Sequence, residues 1–250
     1  MIDVENHGHV RTLRLARPPV NALHVPLMVE LGKQVELAHA DGVRGLVLTG
    51  AGGRFSAGLD VQVLLSLDAD GLRHFLTTFF ATLMQLARSQ IPIVAAINGH
   101  SPAAGAVLAL YCDRRVMAAG DYRIGLNEVQ VGLFPGATIH RALERVVGSR
   151  VAADLLPAGQ LLDSAEALRV GFVDELAPHA EVETRARAWL ERMLALPPQA
   201  YAATRALVRK DLVDLMHDGR AGELEHSVAA WASTETRDTL RGLIARLARK

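Results

Sequence analysis

Three short segments of this chain combine small residues, free backbone amides and a carboxylate in patterns that could do chemistry. Residues 55–60 read FSAGLD, and the small side chains of Ser56, Ala57 and Gly58 let a ligand approach the backbone closely. The segment follows an apolar run and opens a helical pattern, and such a turn leaves amide N–H groups without an intrahelical partner. Residues 97–107 read INGHSPAAGAV and also run from an apolar stretch through a loop into a helical pattern. The amides of Ala104 and Gly105 would then sit at a helix N-terminus, where the dipole favours negative charge. Residues 124–132 read IGLNEVQVG, with Glu128 between Leu126 and Val131. Apolar surroundings raise a carboxyl pKa and make the group a usable base near neutrality. Taken singly, each turn is also an ordinary strand-to-helix connection, and Glu128 is also readable as a solvent-facing loop glutamate. The Gly-x-Ser-x-Gly spacing of a nucleophile elbow is missing from the first segment.

These segments must be held by elements, and the hydrophobic pattern predicts which. Apolar runs at residues 10–15, 45–49, 91–97 and 115–118 read as strands, with a last short strand at 171–176. Leu27, Leu31 and Val35, with Met28 beside them, predict a helix over residues 25–38. Helices are also expected at residues 59–67, 72–87, 104–111, 138–147 and 151–156, and at 165–170 with Ser164 as N-cap and Gly171 as stop. Strands alternating with helices point to a parallel sheet packed against helices. From residue 182 the chain reads as helix alone, over 182–196, 200–216 and 223–249, with breaks at Pro197–Pro198 and near 219–222. The expected organisation is an α/β core over residues 1–190 and a helical region over 191–250. A helical tail of this kind often packs on a neighbouring subunit.

Composition bounds the function. Half of the 250 residues are hydrophobic and 22% are charged, as in a globular protein with a sizeable core. Lys plus Arg and Asp plus Glu number 27 each, which gives no global reason to expect nucleic acid or an anionic membrane as partner. The single cysteine, Cys112, rules out an intrachain disulfide. The first ten residues lack the basic start and apolar run of a signal peptide. No apolar stretch reaches the roughly 18 residues of a membrane span. A soluble, cytoplasmic protein is expected.

Together, FSAGLD, INGHSPAAG and IGLNE, in this order and spacing, resemble the crotonase (enoyl-CoA hydratase/isomerase) family. The resemblance is closer still to its mitochondrial-type Δ3,Δ2-enoyl-CoA isomerase branch, because PPVNAL at 18–23, LALYCDRR at 108–115 and AEALRVGFVDEL at 165–176 also look like that branch. It covers nearly the whole chain. It implies the crotonase (ClpP-like) fold of stacked ββα units, with C-terminal helices building a trimer or a dimer of trimers. It implies that Glu128 is the central acid/base and that the amides of Leu59 and Ala104 form an oxyanion hole for an acyl-CoA thioester. Coenzyme A, as part of the substrate and not as a separate cofactor, would lie over Pro19, Val20 and Ala57, with Arg54 a cation for its phosphates.

Two departures bear on the chemistry. Most family members carry Gly where this chain has Ala104, so a Cβ is added beside the second amide. Family hydratases use two Glu residues, and the first falls at Val107, which neither gives nor takes a proton. Water addition wants two acid/base groups, whereas a 3-to-2 double-bond shift needs one that removes the C2 proton and returns it at C4. The pattern therefore favours isomerisation over hydration, other acyl-CoA chemistry, or a non-catalytic acyl-CoA or RNA-binding role.

Other residues carry less. His7, His9, His24, His39, His74 and His100 show no partners at metal-ligand spacing, and no metal is expected. Gly50, Gly52 and Gly53 are not followed by the Gly-Lys-Ser/Thr of a phosphate loop. Cys112 lies in an apolar helical pattern and reads as buried. The Arg-rich stretch from Arg237 to Lys250 is interleaved with Leu and Ile, which suits a helix face better than a nucleic-acid arm.

Overall fold

A computed structural model describes residues 1–218 and 220–247. Its strands are β1 (Ile2–His7), β2 (Val10–Leu15), β3 (Gly45–Gly50), β4 (Ile93–Ile97), β5 (Ser101–Pro102), β6 (Arg114–Ala118), β7 (Arg123–Gly125), β8 (Leu161–Asp163) and β9 (Glu175–Ala177). The first helices are α1 (Val25–Ala40), α2 (Val61–Ser66), α3 (Ala69–Arg88) and α4 (Ala104–Leu110). They are followed by α5 (Ala137–Val147), α6 (Ser149–Ala158), α7 (Ser164–Arg169) and α8 (Val182–Leu194). Three long helices, α9 (Pro198–Asp218), α10 (Arg220–Ala232) and α11 (Thr234–Leu247), come last.

The main sheet runs β1-β2-β3-β4-β6-β9, and β5-β7-β8 form a second sheet. Only the β1–β2 pair of the main sheet is antiparallel. β3 and β4 are buried at every position because both faces of the sheet are covered. Leu46 and Leu48 face the core shared with α1 and α3, while Val47, Val94, Ala96 and Val116 face Val182, Ala186 and Leu190 of α8. β4–β5–α4 and β6–β7–α5 each send one strand to each sheet before a helix, which is the stacked ββα arrangement expected.

α3 begins where the Asp68 carboxylate accepts the Gly71 N–H. Its buried Leu72, Phe75, Leu76, Phe79, Phe80 and Leu83 recur at helical spacing. All seven residues of α4 are buried, as an all-apolar helix must be.

Several boundaries differ from expectation. Asp163, not Ser164, caps α7 by accepting the Glu166 N–H, because the Ser164 hydroxyl is bonded to Gly120. The last strand is β9, as Gly171 at φ 79° and the bends after it delay the extended segment. The helix expected over 223–249 is two helices, divided at Ser233, whose hydroxyl accepts the Thr236 N–H and so starts a new helix. Gly222 lies inside α10, and Gly219 and residues 248–250 lie outside the described residues. The tail packs on its own chain. Leu212, Met216, Val228, Trp231 and Leu240 belong to the main core, against α3 and α5. Among the described residues no helix is long and apolar enough to cross a membrane.

Candidate active site

Asn21 organises one wall of the site. It sits at φ 52°, a left-handed conformation that Asn tolerates better than most residues. Its buried amide Nδ2 donates to the carbonyls of Ala51 and Arg54, each at 2.9 Å. The Ser56 hydroxyl donates to the Asn21 carbonyl at 2.8 Å and accepts the Gly58 N–H. Further bonds run from Ala57 N–H to Val20, from Leu23 N–H to Gly58 and from Asp60 N–H to Leu23. Residues 18–23 are thereby stitched to FSAGLD. The Asp60 carboxylate then caps α2.

The FSAGLD turn is pressed against the turn that opens α4. A Cβ on Gly105 would lie 2.4 Å from the Ser56 carbonyl oxygen, and one on Gly99 2.0 Å from that of Gly53. A Cβ on Gly58 would lie 3.2 Å from the Ala104 nitrogen. These positions are glycine because backbone meets backbone there. The Leu59 and Ala104 N–H groups donate to no other backbone group among the described residues. Ala103, the cap before Ala104, is held at φ 49°, ψ −127° although it carries a Cβ. Its N–H donates to Gly125 of β7, and this ties the α4 turn to the strand that leads to Glu128.

Glu128 opens a single 3-10 turn, Glu128–Val131, closed by Gly132 at φ 76°. The residue is half-buried, yet its Oε2 is shut off from solvent and has no hydrogen-bond partner among the described residues. Burial of the carboxyl pushes its pKa up to about 7, against a small opposing hydrogen bond from its own backbone. The Asn127 side-chain oxygen beside it is likewise buried and unpartnered among the described residues.

Leu59, Ala104 and Glu128 line one cavity of about 290 Å³. Val107 of α4 lines it too, with Leu76, Phe79 and Phe80 of α3 and Ile139 of α5. Ser227 and Trp231 of α10 and Leu240 and Leu243 of α11 close it. Glu128 is the only titratable side chain among the described lining residues. Ala57 reaches the wall, and its N–H places Val20 alongside, while Pro19 and the Arg54 side chain are exposed outside it. The arrangement offers one carboxyl that can take and return a proton in apolar surroundings, facing two amides able to hold a negatively charged oxygen.

The other singled-out residues lie elsewhere. His100 is exposed, accepts the Arg123 N–H at its Nδ1 and packs edge-on against Tyr122, off the cavity wall. Burial pushes the Cys112 thiol up to about 12. No group of three His, Cys, Asp or Glu among the described residues could hold a metal ion. Sequence reasoning quoted Asn21 within PPVNAL and Asn127 within IGLNE but gave neither residue a role. It also missed the tail residues on the cavity wall, since periodicity identifies an apolar helix face without naming what it covers.

Known proteins resemble this chain in both sequence and fold. Residues 5–247 match the model of a family described as enoyl-CoA hydratase/isomerase. The chain is 31% identical over 253 residues to the mitochondrial enoyl-CoA delta isomerase 1 of Mus musculus, covering 100% of this chain and 88% of that one. It is 29% identical over 244 residues to a probable enoyl-CoA hydratase of Mycobacterium bovis, covering 96% and 93%. The crystal structure of human mitochondrial delta3-delta2-enoyl-CoA isomerase superposes with a TM-score of 0.96 at 31% identity, over 99% of this chain and 98% of that one. An enoyl-CoA hydratase from Bacillus halodurans superposes with a TM-score of 0.87 at 25% identity, over 96% and 99%.

Proposed function

The chain belongs to the enoyl-CoA hydratase/isomerase family, and we propose that within it the protein shifts the double bond of a 3-enoyl-CoA to the 2-trans position. The observation that carries this reading is that Glu128 is the lone titratable side chain among the described residues lining the cavity, with Val107 at the position where family hydratases have their first Glu. The thioester C=O lies between the Leu59 and Ala104 amides. The Glu128 carboxylate removes a C2 proton, and the electrons of that C–H bond move into the thioester to give a dienolate whose oxygen the two amides hold. The Glu128 carboxylic acid then returns the proton to C4, and the double bond is left between C2 and C3. One oxyanion donor is worth roughly 3–4 kcal/mol of barrier, and alignment in the cavity adds to it. Coenzyme A lies over Pro19, Val20 and Ala57, with Arg54 toward its phosphates. The chemistry calls for no separate cofactor, and the assembly we propose is a trimer or a dimer of trimers.

The test is a paired assay with 3-enoyl-CoA and 2-trans-enoyl-CoA, run beside Glu128→Gln. Conversion of the 3-enoyl thioester with little hydration of the 2-enoyl one is expected, and the substitution should cost at least about 10³-fold in kcat. Rapid hydration, or full turnover by Glu128→Gln, would overturn the reading.

A further inference from the structure

The turn bearing Glu128 is a single one, closed by the Leu133 N–H donating to the Glu128 carbonyl at 3.0 Å, and two side-chain hydrogen bonds to other parts of the chain brace it. One is on its flank, where the Gln130 amide Nε2 donates to the Gly159 carbonyl at 2.8 Å. The other comes from the tail. The Thr236 hydroxyl, in the first turn of α11, donates to the Gly132 carbonyl at 2.8 Å. Thr236 is fully buried. Its Oγ1 accepts the Ser233 hydroxyl at 3.0 Å, so its single proton is directed at Gly132. The backbones are in contact as well, since a Cβ on Gly132 would lie 3.2 Å from the Thr236 Cα.

The next residue reaches the opposite side. The Arg237 guanidinium donates to the Leu65 carbonyl, in the last turn of the helix that follows the Leu59 amide. One turn of α11 therefore holds both the segment behind Glu128 and the helix beyond Leu59. The same helix contributes Leu240 and Leu243 to the apolar wall, and Trp231 stands just before it on α10.

We propose that Thr236 is a positioning residue for Glu128, and that α11 makes the placement of Glu128 depend on how the apolar wall is filled. Resting on the reading of Glu128 as the acid/base, this extends the site to a residue that touches no reacting atom. A displacement of about 1 Å at a reacting group costs on the order of 10²-fold in rate. Contacts to the unreactive part of a substrate raise kcat when they are used to align the reacting part. An acyl chain long enough to press on Leu240 and Leu243 thus sets α11, and through Thr236 it sets Glu128.

The experiment compares Thr236→Val, which keeps the shape and removes the donor, with Thr236→Ser, which keeps the donor. Each is assayed on 3-enoyl-CoA thioesters of increasing chain length, and amide hydrogen exchange is followed over residues 128–133. In the unsubstituted protein kcat should rise with chain length. In Thr236→Val it should fall about 10–100-fold with KM within about threefold, the rise should flatten, and exchange at Gly132 and Leu133 should quicken. Thr236→Ser should restore all three. A folded Thr236→Val with unchanged kcat, chain-length trend and exchange would overturn the proposal. If Thr236→Val does not fold, Thr236→Ala, which also removes the donor and leaves the Ser233 cap of α11 in place, carries the same test and should move kcat and exchange in the same direction. Absence of turnover by the unsubstituted protein would refute the reading of Glu128 instead. The exchange measurement would then still decide the brace, since unchanged exchange overturns it and quickened exchange supports it.

Discussion

Glu128 is the residue at which environment and chemistry meet. With its pKa raised to about 7 by burial, kcat/KM for isomerisation should climb with pH and reach half its plateau near 7, because the free enzyme must hold the carboxylate. The same shift acts on stability. The folded state binds the proton more tightly than an unfolded chain with a carboxyl pKa of 4.5, so stability should fall as pH rises from about 4.5 to 7 and stay lower above it. Glu128→Gln removes that penalty. Urea denaturation should find the variant more stable than the unsubstituted protein at pH 8, by about 1–3 kcal/mol, and equal to it below pH 4.5. The Leu126 and Val131 neighbours made the raised pKa legible in the sequence. The buried oxygens of Glu128 and Asn127, unpartnered among the described residues, were not, because the burial of single atoms depends on packing that periodicity does not specify.

At the scale of elements, the site is two strand-to-helix turns pressed together and a third bearing the acid/base. Gly58→Ala tests the contact. At φ 92° the residue would be strained, and its Cβ would stand 3.2 Å from the Ala104 nitrogen. A loss in kcat of about 10²–10³-fold is expected, as for removal of one oxyanion donor, with the far-ultraviolet circular dichroism retained. The glycines, small residues and Glu of the three turns were readable from residue type and order. What periodicity could not reveal was the local competition for caps. Asp163 displaced Ser164 because Gly120 engages the serine hydroxyl, and Ser233 split one apolar stripe into α10 and α11. That split matters for the site, since the hydroxyl pair it creates reaches the turn behind Glu128.

For the whole molecule, the decisive long-range contact joins the tail to the core. Asp113, just before β6, accepts from Arg205 at 2.9 Å, forms an ion pair with Arg209 3.2 Å away, both on α9, and also accepts the Ile93 N–H at 2.7 Å. Burial alone would raise its pKa, but Arg209 and Arg205 outweigh burial and hold it below the ordinary carboxylate range. Its contribution is therefore present above the unfolded pKa and lost as pH falls through the lowered folded value. Asp113→Ala leaves two buried guanidiniums without their anion, and thermal unfolding at neutral pH should show a loss of about 3–5 kcal/mol. The alternation of strands and helices predicted the parallel sheet and the helical tail. It did not predict that the tail completes this chain's own core.

That arrangement has a consequence for synthesis on the ribosome. α3 is buried between α1, which is made before it, and α9 and α10, which are made long after it. At ordinary elongation rates the wait is on the order of 6–30 s. Through that interval the flank of α3 that carries Phe79 and Phe80 is a sticky, uncovered surface on a nascent chain. A chaperone is expected to engage that surface on the ribosome before the finished fold meets any substrate.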